Sequence, residues 1–163
     1  MSMRSAASCG QPLQRSVVPC GARTVRGVMA RTLPNVTFGR VLRRIHHAQI
    51  LIPAGREAEA RQFYCRLLGL VEIDKPATLK ARGGFWLAVG DAQQLHVGIE
   101  RDFADRSTTR EHVAFEVDDV EAERARLAAA GIAVKVGEEV PGYRRCELRD
   151  PFGNRLELMQ PIS

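Results

Sequence analysis

A chain of 163 residues, 45% of them hydrophobic and 26% charged, has the length of one ordinary domain and enough apolar content for a single core. Its net charge of +5 is unevenly placed: residues 1–40 hold six arginines and no Asp or Glu, whereas residues 41–163 hold 18 basic and 19 acidic residues. A net basic excess confined to one end and not patterned with aromatics does not imply a nucleic-acid surface, and no stretch reaches the ~20 apolar residues of a membrane span.

Residues 1–40 combine Ser, Arg, Gly and Pro with short apolar patches and no sustained period, so this basic N-terminal extension is expected to be disordered. Two readings of it stay open. It is either an Arg-rich, acid-poor transit segment bound for an organelle, or an over-long start with translation beginning at Met29. The second is preferred, with a cytoplasmic location, because Ala, Arg and Gly richness fits the coding of a high-GC genome.

Residues 41–163 read as one domain made of two similar modules, 45–100 and 110–160. The first opens with a strand at Ile45–Ile52, followed by a helix over Arg56–Leu68 that stops at Gly69. Strands follow at Leu70–Ile73, Phe85–Val89 and Gln94–Ile99. The second repeats this order with a strand at His112–Val117, a helix from Val120 to Ala130 stopped by Gly131, and strands at Ile132–Val136, Arg145–Leu148 and Arg155–Met159. Each glycine sits where a left-handed helix end wants a residue without a Cβ. The fold class is therefore α+β, two tandem βαβββ modules, with the sheets curved into a mixed cup and the helices outside.

A strand alternates its side chains between two faces, which fixes where each polar residue points once the apolar face is buried. Ala48, Ile50 and Ile52 take the helix side of the first strand and leave His47, Gln49 and Leu51 opposite. By the same rule His96, His112 and Glu157 face away from the helices, between Leu95 and Val97, before Val113, and between Leu156 and Leu158. His46 has the wrong parity and is expected at the strand start or exposed. Imidazoles and a carboxylate suit a divalent Fe, Ni, Zn, Co or Mn ion, and His47, His112 and Glu157 alone make a two-His-one-carboxylate set with open positions. The candidate metal ligands are His47, His96, His112 and Glu157. Gln49, Glu116 and Arg155 share their parity, and Trp86 and Tyr143 lie in or beside neighbouring strands, so these five are the candidate substrate-binding residues.

At these residues the chain resembles the vicinal oxygen chelate superfamily, which contains glyoxalase I, methylmalonyl-CoA epimerase, fosfomycin-resistance proteins, bleomycin-resistance proteins and extradiol dioxygenases. The resemblance spans residues 44–160 and rests on the segments His47–Pro53, Phe63-Tyr64 to Leu68-Gly69-Leu70, His112–Asp119 and Asp150–Glu157. It implies a glyoxalase-like fold, metal ligands on the first, fourth, fifth and eighth strands, and a Glu157 that doubles as catalytic base. The implied activity is isomerase, epimerase, lyase or dioxygenase chemistry on a small oxygenated metabolite chelated by the metal. The alternative is a metal-free binding protein of the bleomycin-resistance type. Either way the resemblance implies a homodimer, with ligands that can come from two chains, and a small-molecule partner rather than a nucleic acid or a membrane. Glyoxalase I generally has a glutamate at the position of His96, and fosfomycin-resistance proteins a threonine at that of Gln49, so the likeness singles out no one activity.

The remaining features read as scaffold. Cys9, Cys20, Cys65 and Cys146 show no CxxC spacing, which fits a reducing compartment, and Cys65 reads as a small buried hydrophobe. In the second helix Val120, Ala125, Leu127 and Ala128 are expected to cover the sheet, with Asp118 or Asp119 capping its start.

Overall fold

Alternating apolar and polar residues from His47 onward are realised as eight short strands, in the computed structural model that describes residue 42, residues 44–138 and residues 140–162. The basic segment 1–40, and with it every expectation placed on that segment, lies outside the described residues. The strands are β1 (His47–Pro53), β2 (Val71–Ile73), β3 (Phe85–Val89), β4 (Gln93–Glu100), β5 (His112–Glu116), β6 (Val134–Val136), β7 (Tyr143–Arg149) and β8 (Arg155–Pro161). Helix α1 (Glu57–Arg61) continues as a π-helix over Gln62–Leu67, and α2 spans Val120–Ala129. A short 3₁₀ turn, Ala77–Arg82, lies between β2 and β3.

Two four-stranded sheets result, in the orders β1-β4-β3-β2 and β5-β8-β7-β6. In each, the opening strand runs parallel to the closing one, and the other neighbours are antiparallel. The helix after the opening strand thus carries the chain from one edge of its sheet to the other. The repeated βαβββ order read from the sequence is the observed one. Gly69 and Gly131 both take the positive φ their positions demand, 76° and 81°.

Burial follows the period of two. Ile50, Ile52, Phe85, Leu87, Leu95 and Val97 point to the helix side in the first module, where Ala60, Phe63 and Tyr64 close over them. Cys146, Leu148, Leu156 and Leu158 do the same in the second, beneath Val120 and Leu127. Each such aliphatic side chain contributes roughly 1.5–3 kcal/mol by leaving water. No helix among the described residues is long and apolar enough to cross a membrane.

Three local expectations are corrected. The first helix is not a uniform α-helix: Leu68 N donates to Phe63 O at 2.9 Å, the wider π turn. That extra residue per turn lets the adjacent Phe63 and Tyr64 both turn inward, to 4% and 0% exposure. In α2, Ala125 and Ala128 are exposed, because the helix touches its sheet only along the narrow stripe of Val120 and Leu127, seven residues apart. Of the two candidate caps, Asp119 is the N-cap, its carboxylate accepting from Glu121 N and Ala122 N. Cys65 is half-buried rather than buried, and Cys146 is fully enclosed.

A buried polar knot ties the modules together. Tyr64 Oη donates to Asp150 Oδ2 at 2.7 Å, and Asn154 Nδ2 donates both to that oxygen at 2.7 Å and to the Leu51 carbonyl of β1 at 2.9 Å. The Phe152 and Asn154 amides close on Asp150 Oδ1 at 2.9 and 2.8 Å. This Asx-type turn aligns β7 with β8 and seats the second module on the first.

Candidate functional site

The helix-averted face of the first sheet carries an aromatic cluster. His96 of β4 is the register partner of both Gln49 on β1 and Trp86 on β3, so the three side chains stand in a row across the sheet. The Trp86 indole stacks on His96 with centroids 4.8 Å apart and planes at 25°, and reaches His47 at 5.3 Å. His96 Nδ1 lies 3.1 Å from Gln49 Oε1; the amide oxygen can only accept, so Nδ1 holds the ring proton and Nε2 keeps its lone pair. Burial first, then the charges of Lys75 and His47, push the His96 imidazole below its ordinary value, which keeps it neutral at physiological pH. Gln49 lies flat over Gly98, where a Cβ would come within 2.6 Å of its Nε2. Trp86 Nε1 is buried without a hydrogen-bond partner.

On the corresponding face of the second sheet, Glu157 is register partner to Ala114 of β5 and Glu147 of β7. Its carboxylate is 3% exposed and carries three neighbours on one oxygen, Oε1: Arg145 Nη1 at 2.7 Å, Arg155 Nη2 at 3.1 Å and His112 Nε2 at 3.5 Å. Arg155 also bridges to Glu147 at 2.5 Å, and Arg145 Nε donates to the Glu138 carbonyl. His112 Nδ1 sits 2.9 Å from the Arg110 carbonyl. A carbonyl only accepts, so Nδ1 bears a proton, and the ring turns its Nε2 toward the carboxylate oxygen.

The four candidate ligands therefore stand as two pairs, His47 with His96 around Trp86 and His112 with Glu157. Among the described residues no group of three or more His, Cys, Asp or Glu side chains gathers closely enough to hold a metal ion. In residue type the pairs suit a first-row divalent metal, and His96 and His112 each turn Nδ1 to an amide or carbonyl oxygen as ligating histidines do, while Glu157 Oε1 is held by Arg145 and Arg155. His46 precedes β1, exposed, with its Nδ1 3.2 Å from that of His47. Of the other candidates, Arg155 clamps Glu157, Glu116 is exposed two residues beyond Ala114 on the same face, and Tyr143 is 38% exposed at the start of β7 opposite Pro161.

Sequence reading missed the Arg145 contact to Glu157, although the alternation Tyr143, Arg145, Glu147 placed Arg145 on the same face. It also missed Lys75, whose charge reaches His96 from the β2–β3 connection, and Arg106 of the segment joining the modules, neither of which any periodicity marks.

The sequence matches the family model of the Glyoxalase/Bleomycin resistance protein/Dioxygenase superfamily over residues 44–158. Among solved structures it is similar to a glyoxalase family protein from Bacillus anthracis, at 39% identity and a TM-score of 0.69, over 74% of this chain and 97% of that one. It is similar also to a glyoxalase/dioxygenase from Nostoc punctiforme, at 22% identity and TM-score 0.63, over 86% and 100% of the two chains. A glyoxalase/bleomycin resistance protein from Streptomyces sp. CB03234 follows at 26% identity and TM-score 0.54, over 69% and 97%. No curated protein matches the sequence. The paired βαβββ modules, the faces they line with histidine and glutamate, and these matches together place the chain in the glyoxalase/bleomycin resistance protein/dioxygenase superfamily.

Proposed function

We propose that this chain is a divalent-metal-dependent enzyme of the glyoxalase type, an isomerase, epimerase, lyase or dioxygenase, that acts on a small oxygenated metabolite. The His112–Glu157 contact carries the reading: an imidazole whose Nδ1 is held by the Arg110 carbonyl turns its Nε2 to a buried carboxylate 3.5 Å away. His47, His96, His112 and Glu157 are the residues that would hold the ion, one of Fe, Ni, Zn, Co or Mn. Once bound, it would act as a Lewis acid toward a substrate oxygen. The protein's own groups do the rest. Glu157 is the catalytic base, taking the proton beside the substrate carbonyl; its burial at 3% exposure keeps bulk water from competing for that role. Trp86 offers a flat face and an unspent indole N–H, and Gln49, Glu116, Tyr143 and Arg155 line the two faces on which a substrate would lie.

The two ligand pairs stand on different sheets, and among the described residues neither is part of a group of three or more His, Cys, Asp or Glu that could hold a metal ion. This supports a homodimer in which His47 and His96 of one copy meet His112 and Glu157 of another. Free thiols at Cys65 and Cys146 fit a reducing, cytoplasmic location.

One observation favours the metal-free binding reading. Arg145 and Arg155 set two permanent positive charges on the very oxygen that a cation would seek. Elemental mass spectrometry of the untagged protein, beside a His112→Ala, Glu157→Gln double variant, decides between them. Near-stoichiometric metal that disappears in the variant is the expected result. A parent that stays metal-free after reconstitution with each candidate ion would hand the site to the binding-protein reading.

A further inference from the structure

Arg145 is seated on Glu157 by its surroundings. Its stem lies on Gly137, where a Cβ would come within 2.7 Å of Cγ and 2.9 Å of Nε, so a larger residue there would lift the arginine away. Gly137 N in turn donates to the Arg145 carbonyl at 3.2 Å, which holds the start of the β6–β7 connection against β7. Arg145 Nε is committed to the Glu138 carbonyl at 2.7 Å, and that bond aims Nη1 at Glu157 Oε1, also 2.7 Å away. The Arg145 side chain is only 14% exposed and the carboxylate it meets only 4%. A preset guanidinium on a buried carboxylate makes a strong charge-assisted bond.

Arg155 is held differently. Its Nη2 stands 2.5 Å from Glu147 and 3.1 Å from Glu157, so Glu147 retains it when Glu157 lets go. Arg145 has the opposite preference, 2.7 Å to Glu157 against 3.5 Å to Glu147. These two arginines and two glutamates already balance in charge. A carboxylate oxygen has two acceptor positions, and the guanidiniums take both on Oε1, the oxygen that lies 3.5 Å from His112 Nε2. A divalent ion shared by His112 and that oxygen needs one of those positions, and it meets the Arg145 charge beside it.

We propose that Arg145 is an internal cation that competes with the metal for Glu157, so that Arg145 and the glycine beneath it set how tightly this chain holds its ion. The inference rests on the reading of His112 and Glu157 as metal ligands and deepens it. Metal enters by displacing a guanidinium, and its affinity is held below what the ligands alone would give.

The test titrates the full chain, stripped of metal, with zinc chloride and separately with cobalt chloride, against a competing chromophoric chelator. Arg145→Met keeps a stem over Gly137 and deletes the charge, while Arg155 still pairs with Glu157. Gly137→Ala keeps the charge and pushes the arginine off its seat. Each is expected to tighten binding of both ions by about tenfold or more, a gain that damage to the fold does not produce. Adding His112→Ala to Arg145→Met should abolish the gain. Should a variant misfold, the Arg145 Nε–H resonance of the parent gives the answer, since it must move as zinc frees the guanidinium from Glu157 and the Glu138 carbonyl. Equal affinity in parent and variants, a gain that survives His112→Ala, or a stationary Nε–H resonance in a parent that takes up zinc overturns the proposal and leaves the metal reading standing. Uptake by the variants but not by the parent retains Arg145 as the excluding cation and removes the metal from the native protein. No uptake by the parent or by either folded variant overturns both.

Discussion

Replacing Tyr64 by Phe deletes one atom from the knot that joins the two modules. The lost contact is the 2.7 Å hydrogen bond from Tyr64 Oη to Asp150 Oδ2, between groups that are 0% and 5% exposed. Burial, and next the Asp150 charge, push the Tyr64 hydroxyl well above its ordinary value, so it stays a donor at neutral pH. A hydrogen bond to a charged group contributes about 1.5–3 kcal/mol. Asp150 keeps the Phe152 and Asn154 amides and Asn154 Nδ2, so its carboxylate is not orphaned, and a loss of about 2 kcal/mol is expected near pH 7, with a Tm lowered by about 6–10 °C. The pH dependence is more telling than the size. Burial holds Asp150 above the usual carboxylate range, against the opposing hydrogen bonds from Asn154, Tyr64 and the backbone. A carboxyl raised in the folded state contributes stability that is complete below its unfolded pKa and is lost as pH climbs through the folded one. Tyr64→Phe removes a contact that lowers the Asp150 pKa, so the folded value rises further and the ionised form becomes still more costly. The mutational loss must therefore shrink as pH falls from 7 to an acid value below the folded pKa of Asp150, toward about 1 kcal/mol, as the bond comes to join two neutral groups. Urea unfolding of parent and variant at both pH values, followed by circular dichroism, reads the difference directly. A loss of equal size at both, or none near pH 7, would refute an ionised Asp150 at the module junction.

Three further outcomes follow from particular contacts. Gly84→Ala would place a Cβ 2.1 Å from the Val97 carbonyl oxygen at a φ of 70°, so more than about 3 kcal/mol or outright misfolding is expected, whereas Gly69→Ala, at φ 76° with open space around it, costs about 1–2 kcal/mol. Equal losses in urea titrations of the two would contradict the close seating of the β2–β3 connection on β4. Because Trp86 is the sole tryptophan and stacks on His96, saturating Ni or Co should quench its fluorescence in the parent but not in His96→Ala; a quench that survives that change takes His96 out of the ligand set. Asp119→Ala should cost about 0.5–2 kcal/mol in a thermal melt and Asp119→Ser only a few tenths, as the hydroxyl can still accept from the Glu121 and Ala122 amides.

Much of the candidate site was readable from strand parity alone. Once Ile50 and Ile52, Leu95 and Val97, or Leu156 and Leu158 are committed to the core, the residues between or beside them have only one other face to occupy, and His47, His96 and Glu157 are found there. The repeated order of elements and the two glycine helix stops are equally local, and they stand as read. The π-turn at Gln62–Leu67 escaped that reading because its register answers to a distant demand, the burial of Tyr64 against Asp150, and not to helix propensity.

What the sequence determined by itself was the set of elements and which side of each strand carries chemistry, because these depend on neighbours two to four residues away. Only the tertiary structure decided which strands adjoin, and with that the company each polar group keeps. Pairing β1 with β4 and β3 with β4 brings Gln49 and Trp86 to His96, while pairing β5 and β7 with β8 brings His112 and Arg145 to Glu157. Such encounters join residues tens of positions apart, and no local period encodes them; they arise when two sheets bury their apolar faces and leave the polar ones to find one another.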